Sequence, residues 1–180
     1  MRDAALLASR PANPFDADLL RDAMRRSAGG VSIITAGRGL ERAGMTVTSA
    51  ISQTMAPPTM LVAVDLTAST LPVLTAKGHF AVNIPSARQV DVAERFAGRG
   101  GLKGAARYAG AEWFRLGSGT WGLVDALAVI DCRVEEIIER HSHAIVLGAV
   151  EAVHLGSDAS AEPLAYAAGA FARAMAAVPA

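Results

Sequence analysis

A dense band of hydroxyl side chains lies in the first half of the chain, within the stretch GMTVTSAISQTMAPPTM at positions 44–60. Hydroxyl groups on a strand, together with backbone N–H groups, can donate hydrogen bonds to a phosphate or to the polar edge of a ring. Threonine also favours strands for packing reasons alone, so an ordinary exposed β face explains the same pattern. The hydroxyl band consists of Thr46, Thr48, Ser49, Ser52 and Thr54.

A second hydroxyl pair, Ser69 and Thr70, stands in DLTASTLP, directly before a predicted helix. Free N–H groups at a helix N-terminus favour an anion, although simple N-capping also accounts for both residues. Lys77, near the predicted end of that helix, would offer a counter-charge to an anion or would simply suit the helix dipole. Phosphate binding is therefore one of two interpretations of this segment.

The histidines, the cysteine and the serines show no further catalytic signature. His141 and His143 form an H-x-H pair, but a metal site would need a third ligand, so no metal is predicted. The single cysteine, Cys132, excludes an intrachain disulfide and a thiolate cluster. Neither a G-x-S-x-G motif nor a Ser-His-Asp pattern is present, so a hydrolase has no evident nucleophile.

The composition argues against several classes of function. Seventeen Lys and Arg residues balance seventeen Asp and Glu residues, and only 5% of residues are aromatic. Nucleic-acid binding, which needs a basic surface or stacking side chains, is therefore not expected. No apolar run reaches the about 20 residues of a membrane helix, and the first apolar run is too short for a signal peptide. We expect no membrane partner and a cytoplasmic protein.

Six segments have the alternating or β-branched pattern that predicts strands. In ALAVIDCRVEEIIER, apolar Ile130, Cys132 and Val134 alternate with charged residues, which indicates a long strand with one wet face. MTVTSAIS is predicted as one continuous strand, and the C-terminal EPLAYAAGAFARA as partly extended. The six segments span 31–37, 45–52, 59–66, 79–84, 126–140 and 143–156.

Three helices are predicted from capping residues and terminal glycines. Because the strands do not alternate regularly with helices, a β-barrel or sandwich with helices at its edges is favoured over a Rossmann sheet. We expect a flexible lead at 1–13, one domain over 14–180, and a mobile or ligand-covering loop at 98–110. The helix signals are Asp16 with Gly29-Gly30, Ser69 or Thr70 with Gly78, and the Ser86/Gln89 capping box with Gly98.

The order of these segments resembles the flavin reductase domain family, the reductase components of two-component flavin-dependent monooxygenases within the FMN-binding split-barrel superfamily. The resemblance runs over roughly residues 18–171, and the pieces are specific because they occur in family order. They are RDAMRRSAGGVSIITA, GMTVTSAISQTMAPPTMLVAVD, STLPVLTAKGHFAVNI, AERFAG, YAGAEW, CRVEE, HAIVLGAV and PLAY.

The resemblance implies a mainly β fold: a six-stranded split β-barrel of Greek-key type, usually a homodimer with flavin near the subunit interface. It places the isoalloxazine ring on the strand at 46–49 and the ribityl phosphate by the segment at 69–77. His143 and Phe171 would serve the nicotinamide side. The implied flavin contacts are Thr46, Val47, Thr48, Ser49, Ser69, Thr70 and Lys77.

Three positions depart from the family pattern. Ala149 replaces a frequent acidic residue. Ala168 stands in a segment that commonly carries an arginine, whose planar and permanent charge suits phosphate. Asp65 replaces a frequent asparagine, and a fixed negative charge beside a flavin phosphate would be unfavourable. Asp65 is therefore expected to point elsewhere or to pair with a cation.

The resemblance leads to an NAD(P)H:flavin oxidoreductase that reduces FMN, or FAD, with NADH or NADPH and supplies reduced flavin to a partner monooxygenase. Because hydride transfer is cofactor chemistry, no catalytic acid or base is predicted, and His143 would position the nicotinamide. The alternative is a flavin-binding module for storage, sensing or electron relay, which the altered Ala149 and Ala168 keep open. A split barrel that binds no flavin is the third possibility.

Overall fold

A computed structural model describes residues 16–174 of the chain. The predicted lead at 1–13 lies outside the described residues. The α-helices of the described part are α1 (Ala17–Met24), α2 (Thr70–Lys77) and α3 (Val90–Phe96). Its strands are β1 (Gly29–Gly30), β2 (Ser32–Ala36), β3 (Ala43–Val47), β4 (Ala50–Met55), β5 (Pro58–Asp65), β6 (His79–Ile84), β7 (Trp113–Arg115), β8 (Trp121–Leu123), β9 (Ala128–Arg140), β10 (His143–Leu155), β11 (Leu164–Ala167) and β12 (Ala170–Arg173).

The main sheet has seven strands in the order β3-β2-β6-β9-β10-β5-β4, and every neighbouring pair is antiparallel. Strands β6, β9 and β10 lie side by side, and β5, which precedes β6 in the chain, lies beside β10. This arrangement of four strands is a Greek key. The predicted mainly β fold with helices at its periphery is confirmed.

The two edge strands of this sheet, β3 and β4, are consecutive in the chain, and only Thr48 and Ser49 separate them. Two linking residues span at most about 10 Å, so the two edges must meet there. The sheet is therefore curled into a barrel that is split between β3 and β4. The prediction of one strand over 45–52 is wrong, because the chain passes from one edge to the other at Thr48-Ser49. Counting both strands, the main sheet has seven strands, whereas the family resemblance implies six.

Alternating side chains of the main sheet contribute to two hydrophobic clusters. On β2, the neighbours Ile33 and Ile34 are both fully buried, but each belongs to a different cluster. On β6, Ala81 shares the cluster of Ile33, whereas Phe80 and Val82 share that of Ile34. Because neighbouring residues on a strand point to opposite faces, one cluster fills the barrel and the other lies between its wall and α3.

The predicted helix signals are largely confirmed. Asp16 accepts hydrogen bonds from the N–H groups of Asp18 and Leu19 at the start of α1. Gly78 ends α2 in the left-handed conformation that favours glycine. The capping box predicted for 86–89 is present and precedes α3.

The prediction that Gly29-Gly30 end the first helix is wrong. Helix α1 ends at Met24, and the two glycines form β1, which pairs with Tyr166 and Ala165 of β11. Strands β1, β11 and β12 make a separate three-stranded sheet. The glycines therefore join the N-terminal helix to a hairpin far along the chain.

The segment at 98–110 was predicted to be mobile or to cover a ligand. Tyr108 is buried, and its hydroxyl donates to the carbonyl oxygen of Ala43 over 2.7 Å. Arg107 donates to the carbonyl oxygen of Gly44 over 2.6 Å. Most of the segment thus packs against the start of β3, and its first part, at Arg99, borders the cavity described next.

Candidate functional site

A cavity of about 290 Å³ lies beside the end of β3, where the hydroxyl band begins. We call it the β3 cavity. It brings four of the predicted site residues together, three from β3 and its end and one from β12, more than 120 positions later in the chain. The residues that line it are Val31, Thr46, Val47, Thr48, Ala97, Arg99, Tyr166 and Phe171.

The hydroxyls next to this cavity differ in their hydrogen bonds. Thr46 donates to the carbonyl oxygen of Ala93 over 2.6 Å, and Ser49 donates to that of Ala63 over 2.9 Å. Both bonds fasten the strand ends to neighbouring elements. The Thr48 side chain is exposed, and its hydroxyl makes no hydrogen bond within residues 16–174. Among the cavity-lining hydroxyls, that of Thr48 is therefore the one available to a ligand.

Strand β3 also offers backbone groups to this cavity. As an edge strand of the main sheet, it has one side whose N–H and C=O groups the sheet does not use. The 98–110 segment occupies the carbonyls of Ala43 and Gly44 at the start of the strand. The end of the strand, at Thr46 and Val47, borders the cavity instead.

An aromatic pair and one cation form the opposite wall. The rings of Tyr166 and Phe171 meet edge to face, with centroids 5.3 Å apart, across the β11–β12 hairpin. The Tyr166 hydroxyl donates to the carbonyl oxygen of Gly169 over 2.9 Å. The Arg99 guanidinium lies 5.6 Å from the centre of the Phe171 ring. The cavity thus has an apolar face suited to a flat ring and a positive charge at its border.

The segment before α2 holds a second set of predicted residues. The N-cap residue Ser69 makes no side-chain capping bond. Thr70 is only 1% exposed, and its hydroxyl has no partner within the described chain. An unpaired buried hydroxyl at a helix N-terminus suits an anion acceptor. Strand β5 joins this segment to the hydroxyl band. Ser49 of the band bonds to Ala63, and Ala63 is two residues before Asp65, the last residue of β5.

Lys77 lies at the opposite end of α2, about 10 Å from Thr70 along the helix axis. Its Nζ atom is 2.6 Å from a carboxylate oxygen of Glu41. The hydrogen bond and the charge of Lys77 hold the pKa of Glu41 below its usual value. The structure therefore does not bring Lys77 beside Ser69, and its contact with a phosphate stays a prediction.

His143 begins β10 opposite Asp65 and is exposed. It does not line the β3 cavity, so the fold of this chain does not bring it into the same cavity as Phe171. Asp65 accepts hydrogen bonds from the hydroxyl and the N–H of Thr67, over 2.6 and 2.7 Å. These bonds lower the pKa of Asp65, with a smaller effect from His143. Asp65 thus turns toward Thr67.

Other kinds of chemistry find no support in the part of the chain that is described. No three His, Cys, Asp or Glu side chains there lie close enough to hold a metal ion. Burial, with a smaller effect of the Asp131 charge, raises the pKa of Cys132 to about 12, so its thiol is not a nucleophile near neutral pH. No helix between residues 16 and 174 is long and apolar enough to cross a membrane.

A family model described as "Flavin reductase like domain" matches residues 24–175, a span that contains the β3 cavity, the N-terminus of α2 and His143. The chain belongs to the flavin reductase like domain family. The predicted resemblance is confirmed, and so, at the level of the family, is the prediction of a flavin reductase.

Two curated relatives of this flavin reductase-like chain are 40% identical to it over the aligned residues. One is the actinorhodin polyketide dimerase of Streptomyces coelicolor, which aligns over 141 residues, 78% of this chain and 77% of the relative. The other is the FMN reductase (NADH) RutF of Methylorubrum extorquens, which aligns over 151 residues, 82% of this chain and 73% of the relative. Two proteins whose names give different activities are thus equally identical to this chain over the aligned residues.

Two solved structures share the fold of this flavin reductase-like chain. The Streptomyces globisporus NADH:FAD oxidoreductase SgcE6, in complex with NAD and FAD fragments, superposes with a TM-score of 0.82 at 28% identity, covering 93% of this chain and 98% of SgcE6. BorF, the flavin reductase component of a bacterial two-component tryptophan halogenase, superposes with a TM-score of 0.79 at 27% identity, covering 88% and 98%.

The residues of the β3 cavity fit a flavin ring system. An isoalloxazine ring has two flat apolar faces and one polar edge, and the cavity offers the Tyr166–Phe171 pair, the free side of β3 and the unbonded hydroxyl of Thr48. The donors are neutral, apart from Arg99 at the border, and so suit a ring that carries no fixed charge.

Two of the sequence departures occupy positions that the fold explains. Ala168 has a φ of 52° in the β11–β12 turn, and its N–H donates to the carbonyl oxygen of Arg25 over 3.0 Å. It therefore joins the hairpin to the segment after α1. Ala149 lies within β10, where it pairs with Thr59 on one side and Arg133 on the other.

Four cavity residues were absent from the sequence predictions: Val31, Ala97, Arg99 and Tyr166. Tyr166 had a usable signal, since it and Phe171 flank Ala168-Gly169, and two aromatic residues at that spacing around a turn face each other across a hairpin. Arg99 had no comparable signal, because a single arginine in a glycine-rich segment is most often solvent-exposed.

Proposed function

We propose that this chain is an NADH-dependent flavin reductase that acts on FMN. The observation that carries the proposal is the β3 cavity, where the unbonded Thr48 hydroxyl and the free side of β3 face the Tyr166–Phe171 pair. Bound flavin supplies the redox chemistry by accepting a hydride from reduced nicotinamide. Thr46, Val47 and Thr48 hold the polar edge of the ring, and the aromatic pair limits the access of water to its face.

The choice of FMN and NADH rests on two supports. The RutF relative is an FMN reductase that uses NADH, and the N-terminus of α2 has an unpaired, buried Thr70 hydroxyl that suits a terminal phosphate. FAD is the competing flavin, because SgcE6 is an NADH:FAD oxidoreductase. Hydride transfer requires no proton from the protein, so His143 has no acid or base role in this proposal.

The direct test is a steady-state assay of purified protein with each of the four pairs of FMN or FAD and NADH or NADPH. We expect flavin-dependent oxidation of NADH, with the highest kcat/KM for FMN. If no pair is turned over while FMN is retained tightly, the protein is instead a flavin-binding module, the alternative left open by Ala149 and Ala168. If FMN does not bind at all, both proposals are wrong.

The phosphate position has its own test in the ratio of FMN to riboflavin affinity, since riboflavin lacks the phosphate. Thr70→Val keeps the shape of the side chain but removes the hydroxyl. It should weaken FMN binding about fivefold, the net value of one hydrogen bond, and leave riboflavin binding unchanged. Lys77→Gln is the matched comparison, and the structure leads us to expect a smaller effect on FMN. A larger effect of Lys77→Gln would place the phosphate at the other end of α2.

We also propose a homodimer and a monooxygenase partner. Helix α1 buries none of its residues, and Leu19 and Leu20 are exposed on it, which leaves apolar surface for a second copy. Light scattering at micromolar concentration should give twice the mass of the chain. The oxygenase partner is supported by BorF, a component of a two-component system. Reduced flavin released by the chain should support turnover by a flavin-dependent oxygenase in a coupled assay.

A further inference from the structure

A larger groove adjoins the β3 cavity and has no role in the function proposed above. It measures about 590 Å³ and lies between the end of α1 and the turn of the β11–β12 hairpin. We call it the α1 groove. It shares the side chains of Thr48 and Tyr166 with the β3 cavity. A ligand whose ring occupies the β3 cavity can therefore extend past these two residues into the groove.

The charge of this groove is of one sign. Arg21 and Arg25 are the only charged residues among those that line it. Arg21 lies in α1 and Arg25 is its C-cap residue, so the two are four residues apart on the same face of the helix. Each now pairs with an aspartate of α1, Asp18 or Asp22, and these ion pairs are exposed. Exposed pairs of this kind are weak, so both guanidinium groups can turn to a phosphate.

The walls of the groove are held together by backbone contacts. Gly29 pairs with Tyr166 in the small sheet, and a Cβ atom placed on Gly29 would lie 3.2 Å from the Cβ of Thr48. A glycine at this position therefore keeps the side chain of Thr48 unobstructed at the junction of the two cavities. The hydrogen bond from Ala168 to the carbonyl oxygen of Arg25 fixes the end of α1 against the hairpin turn.

We propose that the α1 groove binds the pyrophosphate-linked adenylate tail of a dinucleotide whose reactive ring is either the flavin in the β3 cavity or a nicotinamide stacked on that flavin. Arg21 and Arg25 contact the phosphates, for which a guanidinium offers two parallel donors. The inference rests on the proposed function and adds to it the residues that determine affinity for the dinucleotide. NADH and FAD both carry such a tail, and FMN does not.

The decisive variant is the double substitution Arg21→Gln/Arg25→Gln, assayed with FMN as the flavin. Losing two charge-assisted contacts should raise the KM for NADH about tenfold or more, with little change in kcat or in the KM for FMN. Arg26→Gln/Arg88→Gln is the matched control, because it removes the same charge from exposed arginines outside the groove. An unchanged KM for FMN also shows that the double variant is folded.

The assay distinguishes the two sources of the tail. If the KM for FAD rises while the KM for NADH, measured with FMN, does not, the groove holds the adenylate of FAD. The inference is wrong if the double variant has the same KM values as its control for both dinucleotides. It is also wrong if the double variant raises the KM for FMN as much as the KM for NADH.

A binding measurement keeps this inference separate from turnover. ADP-ribose carries the adenylate tail without nicotinamide, and calorimetry should show it binding wild type and the control about tenfold more tightly than the double variant. The wild-type protein could turn over no flavin and still bind ADP-ribose more tightly than the double variant does. That result would contradict the proposed function but support the assignment of the α1 groove. Equal affinity of all three proteins for ADP-ribose would overturn the proposal that the α1 groove binds the adenylate tail.

Discussion

The two edge strands of the main sheet carry one hydroxyl-rich stretch but have different surroundings. At β3, the 98–110 segment bonds the carbonyls of Ala43 and Gly44, and the end of the strand borders a cavity. At β4, Ile51 and Met55 are 56% and 75% exposed, and no cavity described above includes the strand. The difference shows that hydroxyl density does not mark the site. The site is marked instead by a hydroxyl without a hydrogen bond, that of Thr48, which lies beside a cavity at the end of a strand held in place by its neighbours.

The largest expected effect is on the packing that holds β3. A Cβ atom on Gly44 would overlap the Phe96 ring and lie 2.6 Å from the carbonyl oxygen of Ile34, a backbone atom that cannot easily move. Gly44→Ala should therefore lower the free energy of unfolding by about 3 kcal/mol, measured by urea denaturation. Ser52→Ala on β4 is the control and should change it by less than about 0.5 kcal/mol. Equal losses of unfolding free energy in the two variants would mean that β3 is packed no more tightly than β4.

The next effect concerns the two hydroxyls that fasten the strand ends. Thr46→Val/Ser49→Ala removes the hydrogen bonds to the carbonyls of Ala93 and Ala63. Each bond contributes about 1 kcal/mol, so the double variant should lose about 2 kcal/mol of unfolding free energy. Its dissociation constant for FMN should change little, once measured at a temperature where the variant is folded. A loss of FMN affinity without a loss of stability would show that these hydroxyls bind ligand.

The third effect separates binding from folding. Thr48→Val removes the hydroxyl that has no partner within residues 16–174. It should weaken FMN about fivefold, corresponding to about 1 kcal/mol, and leave the unfolding free energy unchanged. Thr54→Val on β4 removes a hydroxyl that bonds only the nearby N–H of Ala56, and FMN affinity should stay within about twofold of wild type. Fluorescence quenching of FMN measures both. Equal effects at Thr48 and Thr54 would remove the distinction between the two edges.

The parts of this molecule that the sequence predicts are those in which local pattern and tertiary contact agree. The alternation of Ile130, Cys132 and Val134 predicts β9 because these side chains pack into one cluster, in which Cys132 is fully buried and the other two are partly buried. The predicted wet face is wrong at Asp131, which is 1% exposed because it accepts hydrogen bonds from the N–H and hydroxyl of Ser118. The capping box at 86–89 predicts the start of the helical segment at 86–96 because its bonds are local. For such elements, neighbouring residues hold sufficient information.

The missed features depend on residues far apart in the chain. Gly29-Gly30 have the pattern of a helix end, but their pairing with β11, about 135 positions later, makes them a strand. Thr48-Ser49 have strand propensity, yet the strand is interrupted there because the chain passes from one edge of the barrel to the other. Arg99 and Tyr166 reach the site only through the fold. A single sequence therefore located the β3 side of the cavity, by way of family resemblance, and not its opposite wall.

The smallest expected effect lies where β4's neighbour, β5, ends. The hydrogen bonds from Thr67 hold the pKa of Asp65 below the ordinary carboxyl value of about 4. A lowered folded-state pKa means that the stabilisation is complete above the ordinary pKa and is lost as the pH falls through the folded-state pKa. Thr67→Val should therefore reduce stability slightly at pH 7 and by less at pH 2 to 3, measured by thermal unfolding.

Ser160→Ala is the control, because Ser160 donates the same kind of hydrogen bond to Asp158 away from both edge strands. It should show the same pH dependence with no effect on FMN, whereas Thr67→Val should weaken FMN if the α2 N-terminus holds the phosphate. A difference between wild type and Thr67→Val that is constant with pH would show that Asp65 is not the group responsible.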